Sequence, residues 1–141
     1  MRTIPAGTRG IFSMQVQYQH LASQFKDAIL PDVFATPMMV LAMENAALNA
    51  IRPYLDPGES AVGTEVNVKH LAATPAGHYV EAEAVVTGVH GRRIEFTVSA
   101  RDEAEEIGHG THARMVIDME RLSRRLDMKR SVRRQSGPLS R

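Results

Sequence analysis

The spacing of apolar residues changes along the chain, and the change sets out the elements. Over residues 11–19, Phe12, Met14, Val16 and Tyr18 take alternate positions, which predicts a first strand. Residues 20–35 hold no period and contain Pro31, so they read as a loop or short helical lid. Residues 36–52, TPMMVLAMENAALNAIR, give the clearest helix. Thr36 suits its N-cap and Pro37 its first helical position. Met, Leu and Ala then surround the axis with almost no polar face, and such a helix is buried. Pro53 and the YLDPGES segment end it.

From residue 60 the period becomes two. Val62, Thr64, Val66, Val68 and His70 alternate with Gly63, Glu65, Asn67, Lys69 and Leu71. TPAG at 74–77 is a turn, and residues 78–89 form a strand around Val80, Ala82, Ala84 and Val86. His90-Gly91 is a hairpin turn. Residues 92–101 alternate around Ile94, Phe96, Val98 and Ala100. After the RDEAEE turn, residues 106–120 form a last strand carrying Ile107, Thr111, Ala113, Met115, Ile117 and Met119. The fold class is therefore α+β, a five-stranded antiparallel sheet with one long helix. A sheet wrapped around one central apolar helix is the hot-dog architecture. Such a sheet leaves edges and apolar surface open, which predicts at least a homodimer.

The chain has 141 residues, 43% of them hydrophobic, enough for one core. Without cysteine there are no disulfides, no thiol catalysis and no cysteine metal site. No apolar run has signal-peptide or membrane-span length, so the expectation is a cytoplasmic protein with no membrane partner. Charge divides the chain. Residues 121–141 hold eight Lys/Arg against one acid, Asp127, while the remainder is acidic. A single domain over 1–120 and a basic tail, frayed helix or disordered, follow from this. The tail's charge suits nucleic acid, a membrane surface or CoA phosphates, but a solvated tail without a dedicated partner is the simpler reading. The sparse aromatic residues argue against a nucleic-acid stacking platform.

Three residues carry candidate chemistry. Glu44 follows five apolar residues in the helix. There it is either a buried acid with a raised pKa suited to general-base work, or an acid at the helix's wet edge paired with an arginine. Thr36 lies eight residues earlier, a little over two turns. Its hydroxyl caps the helix, or uses the positive field of the helix start to meet a carbonyl or anion. His70 shares its strand face with Val62, Val66 and Val68, as a core histidine or a catalyst. His109 and His112 resemble a metal pair, but their spacing on a strand points them to opposite faces. GHG at 108–110 lacks the setting of a dinucleotide loop.

The stretches VFATPMMVLAMENA (33–46), GTEVNVKHLAATPAG (63–77) and EEIGHGTHARMVI (105–117) resemble the fluoroacetyl-CoA thioesterase family of hot-dog enzymes. RPYLDPGES (52–60) and GRRIEFTVSA (91–100) also fit, so the likeness runs from about residue 30 to 120. It implies a catalytic set of Thr36, Glu44 and His70. It also implies that the Gly63 N–H meets the thioester oxygen, with Arg114 nearby and Leu30 and Phe34 contacting substrate. The implied reaction is hydrolysis of an acyl-CoA thioester, with Glu44 as nucleophile or as base on water, and no metal or cofactor.

Two positions depart from the family pattern. Fluorine-selective members carry an aromatic residue where Leu30 precedes Pro31, and a glycine where Pro37 follows Thr36. The expected substrate is therefore a small or medium acyl-CoA. A non-catalytic acyl-CoA-binding module or sensor is the alternative; it would lack the Glu or the His. A hydratase on the same fold would pair an Asp and a His in the helix region, and this helix holds neither.

Overall fold

Five antiparallel strands form one sheet in the order β1-β3-β4-β5-β2. They are β1 (Arg9–Gln15), β2 (Glu59–His70), β3 (Tyr79–His90), β4 (Arg93–Arg101) and β5 (Glu106–Asp118). The computed structural model describes residues 1–136, with side chains as far as Val132. Two helices precede β2: α1 (Ala22–Phe25) in the lid and α2 (Thr36–Ile51) at the centre. A third, α3 (Met119–Ser136), follows β5.

The two central strands show why the sheet closes on α2. Val80, Ala82, Ala84 and Val86 of β3, with Ile94, Phe96, Val98 and Ala100 of β4, present one almost fully buried face. Met39, Ala42, Met43, Ala46, Ala47, Ala50 and Ile51 of α2 fill it. Burying one large apolar side chain is worth about 1.5–3 kcal/mol, so this layer is the main source of stability. The helix lies close because the facing residues are small. A Cβ on Gly10 of β1 would overlap the Ala46 carbonyl and the Ala50 backbone.

The structure corrects the sequence reading at four places. β1 ends at Gln15, where its partner β3 begins at Tyr79. Tyr18 therefore leaves the sheet for a 3-10 turn and stands 70% exposed. The N-cap of α2 is Ala35, with no side-chain cap bond; Thr36 is the first helical residue.

The third correction is a bulge. The β2–β5 register steps from Gly63↔Arg114 to Glu65↔Ala113 and skips Thr64. One extra residue reverses the side-chain parity beyond it. Val62 pairs with Met115, while Val66, Val68 and His70 pair with His112, Gly110 and Gly108. His70 thus shares its face with Val66 and Val68 but not with Val62. The bulge also puts Gly63 and His70, an odd seven residues apart, on the same helix-facing side.

The fourth concerns β5. Its helix-facing positions are the even ones, among them His112, Arg114 and Val116, all buried. The odd positions from Thr111 to Ile117 point to the other face. Of the two readings of the basic tail, the helical one holds for the described part, which forms α3 to Ser136; Asp118 Oδ1 accepts the backbone N–H groups of Glu120 at 2.9 Å and Arg121 at 3.3 Å. Residues 137–141 of that tail lie outside the described residues. Among the described residues, no helix is long and apolar enough to cross a membrane.

Candidate active site

The start of α2 meets the end of β2. Thr36 Oγ1 lies 2.8 Å from His70 Nδ1. The chain beyond His70 is fixed by the Leu71 N–H, which donates to the Ile107 carbonyl at 2.7 Å. Further on, buried Asp102 accepts the Thr74 hydroxyl at 2.8 Å, and Phe34 N–H donates to the Thr74 carbonyl at 2.9 Å. The strand end and the VFAT segment are thereby tied together. Burial lowers the His70 pKa, favouring the neutral ring. Its Nε2 is buried and has no partner among the described residues. Beside the pair is a cavity of about 360 Å³ whose lining includes Leu30, Val33, Phe34 and Leu71. Leu30 is 39% exposed there and Phe34 is buried.

A second group forms two turns further along α2. Glu44 Oε2 stands 3.8 Å from Arg114 Nη1, and the Glu44 side chain is 38% exposed against 8% for Arg114. Of the two readings of Glu44, the geometry matches the acid at the helix's wet edge paired with an arginine. Arg114 also donates from Nη2 to the Ala61 carbonyl at 2.7 Å. Burial lowers its pKa and Glu44 opposes that fall; a guanidinium stays charged in proteins. The carboxylate lies over Gly63, where an added Cβ would come 2.7 Å from Glu44 Oε2. Only glycine leaves the acid this position.

His112 belongs to this group and the motif reading passed over it. Its ring is stacked on Phe96, with centroids 5.8 Å apart. Nδ1 is 2.8 Å from the Glu65 carbonyl, so Nδ1 carries the hydrogen and donates. Nε2 is then free to accept from Arg114 Nη1 at 3.3 Å. Burial is the main cause of a lowered pKa, which keeps the ring neutral. His109 is exposed on the opposite face. No group of three metal-ligating side chains occurs among the described residues.

The structure thus joins Thr36 to His70, and Glu44 to Gly63 and Arg114, but keeps the two groups apart within one chain. Eight residues of α2 separate them by about 12 Å along the axis.

A five-stranded antiparallel sheet curled around one helix is the hot-dog fold. The chain matches the model of the fluoroacetyl-CoA-specific thioesterase family over residues 16–120. It is 47% identical over 102 residues to the fluoroacetyl-CoA thioesterase of Streptantibioticus cattleyicolor, covering 72% of this chain and 73% of that protein. A solved structure of the fluoroacetyl-CoA thioesterase FlK superposes with a TM-score of 0.84 at 38% identity, over 96% of this chain and 99% of that one. A hypothetical Thermus thermophilus protein of the thioesterase superfamily gives 0.83 at 31% identity, over 94% and 99%. The chain belongs to the fluoroacetyl-CoA-specific thioesterase family. The matched span begins at Val16, so the likeness takes in the lid as well as residues 30–120.

Proposed function

We propose that this thioesterase hydrolyses a small or medium acyl-CoA, with Thr36, Glu44 and His70 as its catalytic set. The observation that carries the proposal is the Thr36–His70 pair at the cavity holding Leu30 and Phe34. Solved relatives bear on the ligand. A threonine-to-serine variant of FlK is in complex with acetyl-CoA, and a phenylalanine-to-alanine variant is in complex with fluoroacetate and CoA.

Hydrolysis adds water across the C–S bond and yields a carboxylic acid and the CoA thiol. Glu44 takes the proton of an attacking water, or attacks the thioester carbon itself, expelling the CoA sulfur and forming an anhydride that water then cleaves to free the acid and restore Glu44. The Gly63 N–H donates to the oxygen on which negative charge develops; one such donor lowers the barrier by about 2.7–4 kcal/mol. His70, neutral at rest, acts as a base: it receives the proton of the attacking water, directly or by way of Glu44, and then passes it to the departing sulfur, while Thr36 orients its ring. No metal or redox cofactor takes part in these steps.

The separation of the two groups calls for a homodimer. β2 is an edge strand, and Val62–Asn67 are exposed along it. Unpaired edges recruit further strands. Antiparallel pairing of this edge across a two-fold axis lays the Gly63 end of one strand beside the His70 end of the other. Each site would then combine Thr36 and His70 of one protomer with the partner's Glu44.

Free CoA release over a panel of acyl-CoAs tests the substrate reading. Short and medium esters turned over alike support it. A large preference for fluoroacetyl-CoA over acetyl-CoA contradicts the significance given to Leu30. Binding without turnover makes the site a receptor.

A further inference from the structure

We infer that His112 is a positioning residue that joins the β2 bulge to the Arg114–Glu44 pair through the two nitrogens of one neutral ring. This inference rests on Glu44 being catalytic.

The geometry gives each nitrogen a separate task. Nδ1–H donates at 2.8 Å to the carbonyl of Glu65, the first residue paired after the bulge. This bond pins the bulge that places Gly63 beneath Glu44. Nε2 accepts from Arg114 Nη1 at 3.3 Å, the same nitrogen that stands 3.8 Å from Glu44. Arg114 Nη2 is held by Ala61. The guanidinium is therefore fixed at two corners, one on each side of the bulge. Arg114 Nε, buried and without a partner, adds nothing to that hold. The ring also bounds the space over the glycine, since an added Cβ on Gly63 would come 3.3 Å from His112 Cε1.

The ring cannot itself reach substrate. His112 is 3% exposed and its flat face is covered by Phe96. Both nitrogens are already engaged. Its effect on the reaction passes through Arg114 and Gly63 to the carboxylate. Such support matters because misplacing a reacting group by about 1 Å costs roughly 100-fold in rate.

Asparagine and glutamine separate the two tasks. Asn places an N–H near the position of Nδ1 but offers nothing at Nε2. Gln places an oxygen near Nε2 that accepts from Arg114. His112→Asn should lower kcat at least ~10-fold with KM unchanged within about twofold, and His112→Gln should recover most of that loss. Thermal midpoints of the two variants should agree within a few degrees. The inference is overturned if His112→Asn keeps the full kcat, or if both variants lose rate in step with lost thermal stability. A second readout needs no turnover. In ¹⁵N NMR spectra of the wild type, the His112 ring should carry its hydrogen on Nδ1, and the Arg114 Nη signals should be split by hindered rotation. His112→Asn should merge those Arg114 signals. If the wild type hydrolyses no ester, the thioesterase reading fails, while these spectra still decide whether His112 holds Arg114.

Discussion

The hydroxyl of Thr36 stands 2.8 Å from His70 Nδ1 and makes no cap bond to the helix it begins. A capping threonine contributes about 1 kcal/mol to stability. This one should contribute far less to stability and more to rate. Thr36→Val should cut kcat by ~10-fold or more, as expected when the orientation of a general acid or base is lost, with little change in the urea midpoint. Thr36→Ser should keep most of the activity. A large stability loss in Thr36→Val with unchanged kcat would restore the capping role.

Gly63 is the position most sensitive to size. An added methyl comes within 2.7 Å of Glu44 Oε2 and 3.3 Å of the His112 ring. Gly63→Ala should displace the carboxylate from Arg114 and lower kcat roughly 100-fold, the scale of a misplacement of about 1 Å. The protein should remain folded, because Gly63 lies on an exposed edge strand. Circular dichroism with CoA release on the same sample checks both halves.

Two histidines set the response to acid. Burial lowers the pKa of both His70 and His112 below the ordinary value of 6.5. The unfolded chain then binds protons that the folded chain refuses. Above the ordinary value neither state is protonated, and the pair has no effect on stability. As pH falls below it, stability declines, and the loss is complete below the folded pKa values. The groups facing His112 are Arg114, which adds to the lowering, and Glu44, which opposes it. kcat should fall at lower pH than stability begins to, where the folded rings themselves take up protons, since protonation silences His70 as a base and removes the Arg114 acceptor on His112. An unfolding free energy that stays flat from about pH 7 down through the ordinary histidine value of 6.5 to about pH 5 would contradict both assignments.

Mixing two inactive variants tests whether sites are shared between protomers. Glu44→Gln and His70→Ala each damage a different half of the site. If sites are built across the dimer, random exchange gives half heterodimers, each with one intact site in two. About a quarter of the wild-type rate should return. If each site lies within one chain, none should return. Sedimentation should give twice the 15.6 kDa chain mass in the first case.

Much of this was legible in the sequence, and the losses have one physical origin. The all-round apolar run of α2 and the alternation of β3 and β4 marked the layers. Thr36, Glu44 and His70 were visible as polar residues set among apolar ones. Their roles came from the family likeness, while the single-residue bulge at Thr64 could not be seen, because both faces of β2 carry plausible residues. Once parity slips there, Val62 is assigned to the wrong face. In β5 the apolar odd positions drew attention away from the even face; Arg114 entered only through the family likeness, and His112 only as half of a rejected metal pair. Two glycines followed by His112 and Arg114 at alternate positions, beside a lone acid in a buried helix, were the available signal. The capping reading of Thr36 was sound local chemistry, overridden by a partner 34 positions away.

The most direct test is free CoA release by wild type and Glu44→Gln, followed with a thiol reagent to which this cysteine-free chain is silent. Wild type should release CoA rapidly from at least one small or medium acyl-CoA, and Glu44→Gln should lose at least ~100-fold in kcat with the fold intact. Equal rates for the two proteins would show that Glu44 is only the partner of Arg114 and that the catalytic assignment is wrong.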